Sequence, residues 1–485
     1  MLLTGQDLLN FQRCERQAFL DIYGDRHHKA PPSDFLQKLR VDHHQFQREV
    51  LADELYVCPQ YPAQDWSAGA EATLELMRQG APQIQGGVLR HQASQDLIYI
   101  STPDLLTKVS GVSIWGDWLY IPTDIKLSKR PKLDYQILVT FHAYLLAMLQ
   151  GTWPEAYLYL RQKGRYRVEL PRTRPKLEGL LTNLAHLLRH GQEPGVFIVN
   201  NRCNLCGWYP HCYHVAQAQK HLSLLPGVTP SRYPILQALN FTTVEALAAA
   251  SPRELHQLTG FALEIATRLV NQAKATLTNQ PIPLARLGAT AGSALLPTAP
   301  IELYFDIEAE PSLNLAYLHG VLVVNRYTQS HQFYPLLAEC PEDEPRIWQQ
   351  FLDLVLAYPT APIFHFCPYE VQTVIRLAKY YATPDQVVQP LIARFVDLHA
   401  WVTQTVTLPI ESYTLKLIAR WLGFQWRNTK ANGAQSICWY SQWLETGDRQ
   451  FLQTIVHYNE DDCHATHHVK NWLADFLAEQ VRYSA

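Results

Sequence analysis

No run in the chain approaches the ~18 consecutive apolar residues that a membrane-spanning helix needs, so no membrane association is expected. The stretch from Met1 to Arg16 also lacks an uninterrupted apolar core. Gln6, Asp7, Gln12 and Arg13 break it, which argues against a secretory signal and for a cytoplasmic protein. Charge of one sign is missing too: the formal net charge is −3, which neither requires nor excludes a local basic groove. There is no long low-complexity tract. With 47% hydrophobic and 18% charged residues, extended disorder is excluded. Nine cysteines, an odd number without a secretion signal, point to thiols or metal ligands rather than a disulfide framework.

The 485 residues allow about three domains at roughly 150 residues each. Three zones are expected. Residues 1–220 mix helix and strand patterns and end in a cysteine cluster. Residues 221–280 read as short helices. Residues 298–485 begin with a strand and end in helix. Between the last two, Pro281, Pro283, Gly288, Gly292, Pro297 and Pro300 mark a linker.

In the first zone, Leu119–Leu127 reads as a strand, so Asp124 and Lys126 share one face. Asp104 sits in a second strand-like segment, STPDLLTKV. Two carboxylates and a lysine on neighbouring strands form a workable phosphodiester-cleaving set. The acids suit hard Mg²⁺ or Mn²⁺, and the lysine can orient water or meet developing charge. Alone, the pattern equally fits an edge strand with a surface salt bridge. Cys203, Cys206 and Cys212 form a C-x₂-C-x₅-C run, and Cys14 is the candidate fourth thiol. Four cysteines hold zinc or an iron–sulfur cluster, and His211 or His214 could instead complete a zinc site. The basic stretch from Arg161 to Lys176 reads as a phosphate-contacting ribbon or a solvated hairpin.

Cysteine, Asp, Asp-x-Lys and a distal cysteine trio, in that order, resemble the RecB-like branch of the PD-(D/E)xK nucleases. The pattern is most similar to CRISPR-associated RecB-like exonucleases and the nuclease domain of AddB-type helicase–nucleases. The resemblance implies a restriction-endonuclease-like α/β fold. It implies a [4Fe–4S] cluster on Cys14, Cys203, Cys206 and Cys212 that clasps the two ends of the domain. It assigns Asp104, Asp124 and Lys126 to the core motif and matches Gln136 to the glutamine of the following helix. Its metal-binding histidine falls at His43 or His44, with His44 favoured.

In the middle zone, LTGFALEIATRLV resembles a helix–hairpin–helix, with Gly260 at the turn and Ala262 where a second glycine is usual. In the last zone, IELYFDIE places Asp306 and Glu308 on one face of a strand, and LAYLHGVLVVN follows as a second strand. FLQTIVHYNEDDCHATHHVKNWL has helical periodicity, with Tyr458 and Asp462 four apart on one face. Such acids can assemble a two-metal site, and the tyrosine can position or deprotonate the attacking water.

This zone looks like the DEDD branch of the RNase H-like 3′→5′ exonucleases. Asp306 and Glu308 match its first motif. Asp462 with Tyr458 matches its third motif in the tyrosine form, and His457 has the spacing of the histidine form. The second motif departs from the family: Glu370, directly before a helix, stands in for the expected aspartate. Asp397 is the other candidate and reads better as a helix cap. Cys58, Cys340, Cys367, Cys438 and Cys463 show no metal-ligand spacing.

The order of parts is similar to a family of predicted bacterial RecB-like nucleases of unassigned pathway. The resemblance implies metal-dependent hydrolysis of DNA from single-stranded ends, in repair, recombination or defence, with Mg²⁺ or Mn²⁺ and a helicase or repair-complex partner. Two other readings stand beside it. One is a nucleic-acid-binding adaptor with degenerate nuclease sites. The other is an RNA-processing exonuclease acting through the C-terminal domain.

Overall fold

The computed structural model describes residues 1–284 and 295–484, so the part of the linker that holds Gly288 and Gly292 lies outside the described residues. The chain divides into two units, residues 1–196 with 201–215 and residues 197–200 with 216–485.

The first unit runs β1 (Leu2–Thr4), α1 (Gly5–Arg13), α2 (Glu15–Tyr23), α3 (Asp34–Leu51), α4 (Trp66–Arg78), β2 (Gln83–Gln85), β3 (Leu89–Ser94), β4 (Leu97–Ser101), β5 (Leu105–Ser113) and β6 (Gly116–Lys126). Then come α5 (Leu133–Gln150), β7 (Tyr157–Leu160), β8 (Gly164–Arg167) and α6 (Leu170–His190), followed in the chain by α7 (Asn200–Cys203) and α8 (Tyr209–Ala218). The main sheet has the order β2-β5-β6-β7-β8, and a smaller sheet has the order β1-β4-β3. β6 pairs with β7 in parallel, Asp124 opposite Leu158 and Lys126 opposite Leu160; every other pairing in the main sheet is antiparallel.

α5 is apolar on nearly every side and is accordingly the buried spine of the unit. Phe141 and Leu145 pack with Leu8, Phe11, Leu177 and Leu184, while Val139 and Ala143 meet Leu158 and Leu160. α5 stops at Gly151, whose φ of 75° is the left-handed cap position that favours glycine. The basic stretch does not stay a ribbon. Only Arg161–Arg167 lie on the β7–β8 hairpin. α6 opens with a proline in its first turn, a position proline tolerates, so Arg172, Arg174 and Lys176 are helical.

The second unit begins with short helices α9 (Tyr233–Ala238), α10 (Val244–Ala249), α11 (Pro252–Thr259) and α12 (Leu263–Thr278) around Leu236, Leu247, Leu255 and Val270. Gly260, at φ 70°, makes the turn between α11 and α12. β9 (Ile282–Pro283), β10 (Ile301–Glu310), β11 (Leu315–Asn325), β12 (Ser330–Leu337), α13 (Glu344–Leu356), β13 (Ile363–His365), α14 (Tyr369–Tyr380), α15 (Asp385–Ile392) and β14 (Phe395–Asp397) follow. The chain ends with α16 (Leu398–Thr405), β15 (Val406–Thr407), α17 (Leu415–Trp421), α18 (Gly433–Thr446) and the long α19 (Arg449–Ser484).

Five strands form one sheet in the order β12-β11-β10-β13-β14, antiparallel from β12 to β10 and parallel from β10 to β14. β10 is central and buried on both faces. Leu303, Phe305 and Ile307 pack toward α13, and Tyr304 packs toward α19. Alternation then puts Asp306 and Glu308 on the α19 face.

His319 on β11 is fully buried beside Phe305 and Phe351, and neither ring nitrogen has a hydrogen-bond partner. Burial, with a smaller push from Arg376, drives its pKa down to about 3. A depressed folded-state pKa means that stability is intact above the unfolded value of 6.5 and is lost as the pH falls toward about 3. His319→Leu is therefore expected to stabilise the protein by about 1–2 kcal/mol at neutral pH. The advantage should widen by roughly 1.4 kcal/mol per pH unit below about 6. Urea unfolding at several pH values reads this directly, and a less stable variant refutes it.

Candidate metal-binding sites

In the second unit, β10 presents Asp306 and Glu308, and α19 crosses that face with Asp462. Ligand oxygens of these three residues lie within 4.8 Å of one another. Glu370, buried at the start of α14, is near enough for its charge to act on both Asp306 and Glu308. Hard oxygen donors at this spacing suit Mg²⁺ or Mn²⁺.

The surrounding groups hold the acids in place. Asn459 Nδ2 donates to Asp306 Oδ2 (2.6 Å), and Trp426 Nε1 donates to Asp462 Oδ1 (2.6 Å). Arg427 grips the same turn of α19 through Asp461 (2.7 Å) and Glu460 (2.7 Å). A Cβ at residue 320 would fall on the Asn459 amide oxygen, so β11 needs glycine there. His365 Nδ1 lies 3.3 Å from Glu370 Oε2. Between them Cys367 adopts φ 78°, a left-handed conformation that non-glycine residues rarely hold, at the turn that leads into α14.

The rival candidates separate cleanly in space. Tyr458 is largely buried and hydrogen-bonds Asp462, whereas His457 is exposed and only its carbonyl is engaged, by Arg427. Asp397 Oδ1 accepts the amides of Cys367, His399 and Ala400 and caps α16, so it faces the backbone rather than the carboxylate group.

Burial pushes Asp306 and Glu308 well above the usual carboxylate range, and the neighbouring acids add to it. Asp462 rises to about 6, chiefly by burial and in spite of its bonds from Trp426 and Tyr458. A raised folded-state pKa contributes stability that is intact below the unfolded value of 3.8 and lost as the pH climbs through about 6. A divalent cation relieves that loss and displaces protons as it binds. Mn²⁺ is thus expected to raise the melting temperature by at least roughly 3 °C more at pH about 7.5 than at pH about 5. Calorimetry with and without EDTA checks the sign, and an equal or reversed shift rejects it. Burial and the three acids also hold the Tyr458 hydroxyl far above its ordinary pKa, so it stays a proton donor and orients rather than deprotonates.

In the first unit, Asp124 is buried on β6. Its Oδ2 lies 3.0 Å from Lys126 Nζ, an ion pair whose angles fall short of a hydrogen bond, and its Oδ1 lies 3.2 Å from His142 Nε2. Asp104, just before β5, lies 3.5 Å from the same lysine. It accepts Ile125 N at 2.7 Å and Gln47 Nε2 at 2.9 Å. Burial raises Asp124, but Lys126 and His142 outweigh it and leave the group strongly acidic. Asp104 goes the other way, raised by burial and by the Asp124 charge.

Of the two adjacent histidines it is His43 that faces this set. Its pKa is lowered by burial and by Lys126, and both aspartates act on it. His44, favoured from sequence, turns instead to Gln47 Oε1 (3.2 Å). The one-residue difference is helical phase: 100° of rotation on α3 carries one ring inward and the other out. Gln136 is not seen against the acids; its Nε2 donates to Pro131 O (2.7 Å) and pins the loop before α5. His142 was not singled out from sequence. Its Nδ1 bonds Ser101 Oγ, so Ser101, His142 and Asp124 form a buried chain. The clue was a polar residue in the most apolar part of α5.

Cys14, Cys203, Cys206 and Cys212 form no disulfide among the described residues. Burial pushes Cys206 up to about 11, and charges on Cys14, Cys212 and Cys203 add to it. Cys14 Sγ accepts Gln17 N (3.4 Å), and Arg16 hydrogen-bonds Cys212. Among the described residues no three of these sulfurs lie within 4.8 Å. Tetrahedral zinc wants sulfurs about 3.8 Å apart, so the spacing is wider than a single zinc requires. Four thiols are the type of donor set that an iron–sulfur cluster takes. His211 stacks on His28 at 5.0 Å.

Residues 303–474 match a family model described as RNase_H superfamily, a segment that includes Asp306, Glu308, Glu370, Tyr458 and Asp462. A search of curated proteins returns no match to the chain.

Proposed function

We propose that the chain is a divalent-metal-dependent nuclease that hydrolyses DNA from single-stranded ends and carries two nuclease centres. The match over residues 303–474 supports nucleic-acid hydrolysis in general. The observation that carries the reading is the convergence of Asp306, Glu308 and Asp462 within that segment, a set of mutually repelling acids that a dication would neutralise. Mg²⁺ or Mn²⁺ held there neutralises the phosphate and lowers the pKa of the attacking water. Glu370 completes the carboxylate set in place of an aspartate. Tyr458, kept protonated, orients the water, and Asn459 and Trp426 fix the acids so that little reorganisation is needed.

In the first unit the reading is a RecB-like PD-(D/E)xK centre with Asp104 and Asp124 as metal ligands, His43 beside them, and Lys126 as the charge that meets the scissile phosphate. Cys14, Cys203, Cys206 and Cys212 hold a [4Fe–4S] cluster that ties the N-terminal helices to the C-terminal edge of this unit. Service in repair, recombination or defence beside a helicase belongs to the same proposal.

The test is digestion of end-labelled single- and double-stranded DNA and matched RNA by anaerobically purified protein, with Mg²⁺, Mn²⁺ or EDTA. Metal-dependent shortening of single-stranded DNA is expected. Ends that are bound but uncut would make the protein an adaptor, and cleavage confined to RNA would make it an RNA-processing enzyme. The same preparation should contain about four irons per chain. Stoichiometric zinc without iron overturns the cluster.

A further inference from the structure

The parallel strands β6 and β7 end side by side, with Lys126 opposite Leu160, and both run straight into basic turns. After β6 come Lys129, Arg130 and Lys132; after β7 come Arg161, Lys163 and Arg165. All six are exposed, and neither 127–133 nor 160–168 contains an acid. Among the described residues none of the six has a carboxylate partner, whereas Arg167 is held by Glu155 (2.7 Å) and Arg174 by Glu178 (2.9 Å). In a chain of net charge −3, this places uncompensated positive charge at the sheet end that carries Asp124 and Lys126.

The geometry of the patch adds selectivity to charge. The hairpin tip is fixed by Gly164 at φ 65°, the left-handed position that closes a three-residue turn. Arg165 lies 3.8 Å from the Tyr157 ring centroid and Lys163 lies 4.7 Å from that of Tyr166, so both cations are already ordered over aromatic faces. Gln136 holds the other turn by its bond to Pro131 O (2.7 Å). Planar cations and rings in alternation suit splayed bases and a flexible backbone better than the regular phosphate rows of a duplex.

We propose that these two turns form a binding track for single-stranded nucleic acid that leads its backbone to the Asp104–Asp124–Lys126 site. The destination rests on the nuclease reading above; the track itself does not. DNA and RNA share the chemistry it recognises, and the two are separated by experiment.

The test is fluorescence anisotropy of a roughly 20-nucleotide labelled oligo-dT, oligo-U and a blunt duplex with the full chain in EDTA, from about 50 to about 200 mM NaCl. The variants are R161Q/K163Q/R165Q and K129Q/R130Q/K132Q. A control is K220Q/K379Q/R482Q, three exposed cations of the second unit. Each track variant should bind single strands at least about tenfold more weakly and lose about 2 from the slope of log K against log salt, at roughly 0.7 per phosphate contact. The control should change neither. Unchanged affinity and slope in both track variants, equal losses in the control, or tighter binding of the duplex than of single strands overturns the proposal. Because EDTA prevents cleavage, a protein that binds through the track yet never cuts sinks only the nuclease reading. One that cuts while both track variants bind normally sinks only the track.

Discussion

Asp306→Asn should cut metal-dependent cleavage through the second-unit site by at least about a hundredfold while making the metal-free protein more stable. The two effects have one cause. Asn459 Nδ2 can still donate to the side-chain oxygen at position 306, and the volume is unchanged, so folding is not at risk. What disappears is a charge that burial and the neighbouring Asp462, Glu308 and Glu370 already disfavour. Removing it relieves repulsion in the empty fold and deprives a dication of a ligand. Asp124→Asn should reduce cleavage through the first-unit site too, with the opposite effect on stability. Asp124 is charged in the fold and engages Lys126 at 3.0 Å and His142 at 3.2 Å, so its loss leaves a largely buried ammonium with only the more distant Asp104, at 3.5 Å. Thermal melts in EDTA beside end-labelled digests give both signs. A stabilised D124N, or a D306N that cuts as well as wild type, removes the site in question from the mechanism. Either variant alone leaves the other centre intact, so residual cleavage that vanishes only in the double variant assigns activity to both.

The acids of the second unit were legible because two simple periods carry them. A strand repeat of two puts Asp306 and Glu308 together, and a helical spacing of four puts Tyr458 beside Asp462. Asp124 and Lys126 were legible for the same reason, whereas Asp104, one residue before β5, was assigned only by the family resemblance. The groups that orient these acids were not. Trp426 reaches Asp462 across 36 positions, and Asn459 reaches Asp306 across 153. Such contacts depend on how a loop or helix crosses the sheet, which no local period encodes. Gly320 is a similar case: a glycine inside an apolar strand signals close backbone approach, but not what approaches. His43 and His44 differ only in helical phase, and α3 has just one buried residue, Leu51, to fix that phase from sequence. The hairpin reading of the basic stretch failed after Arg167 because Pro171, which looks like a strand breaker, also suits the first turn of a helix.

Lys470→Ala should destabilise the second unit by about 3–5 kcal/mol, enough to depopulate the fold at moderate temperature. Lys470 Nζ donates to both oxygens of Glu302 at 2.8 Å, and each residue is only 1% exposed. Tyr304 donates to the same carboxylate at 2.7 Å, while Arg326 stands 3.5 Å away with nearly half of its side chain in solvent. Removing the lysine leaves a buried acid with only a phenol and the more distant, half-exposed Arg326 to offset its charge. The pair also has a place in the site. Glu302 lies one strand repeat pair before Asp306 on β10, and Lys470 lies about two turns beyond Asp462 on α19. It therefore bolts together the two elements whose crossing brings the carboxylates within reach of one metal. Burying two charges is costly in itself, so Glu302→Met combined with Lys470→Met should recover most of the lost stability, since an apolar pair satisfies the same space without desolvated charge. A double-mutant cycle in urea separates the cases. If Lys470→Ala costs no more than a surface substitution, the pair is not holding α19 to β10. If the double variant regains stability but not metal binding, the ion pair sets the angle of that crossing, and apolar packing alone does not.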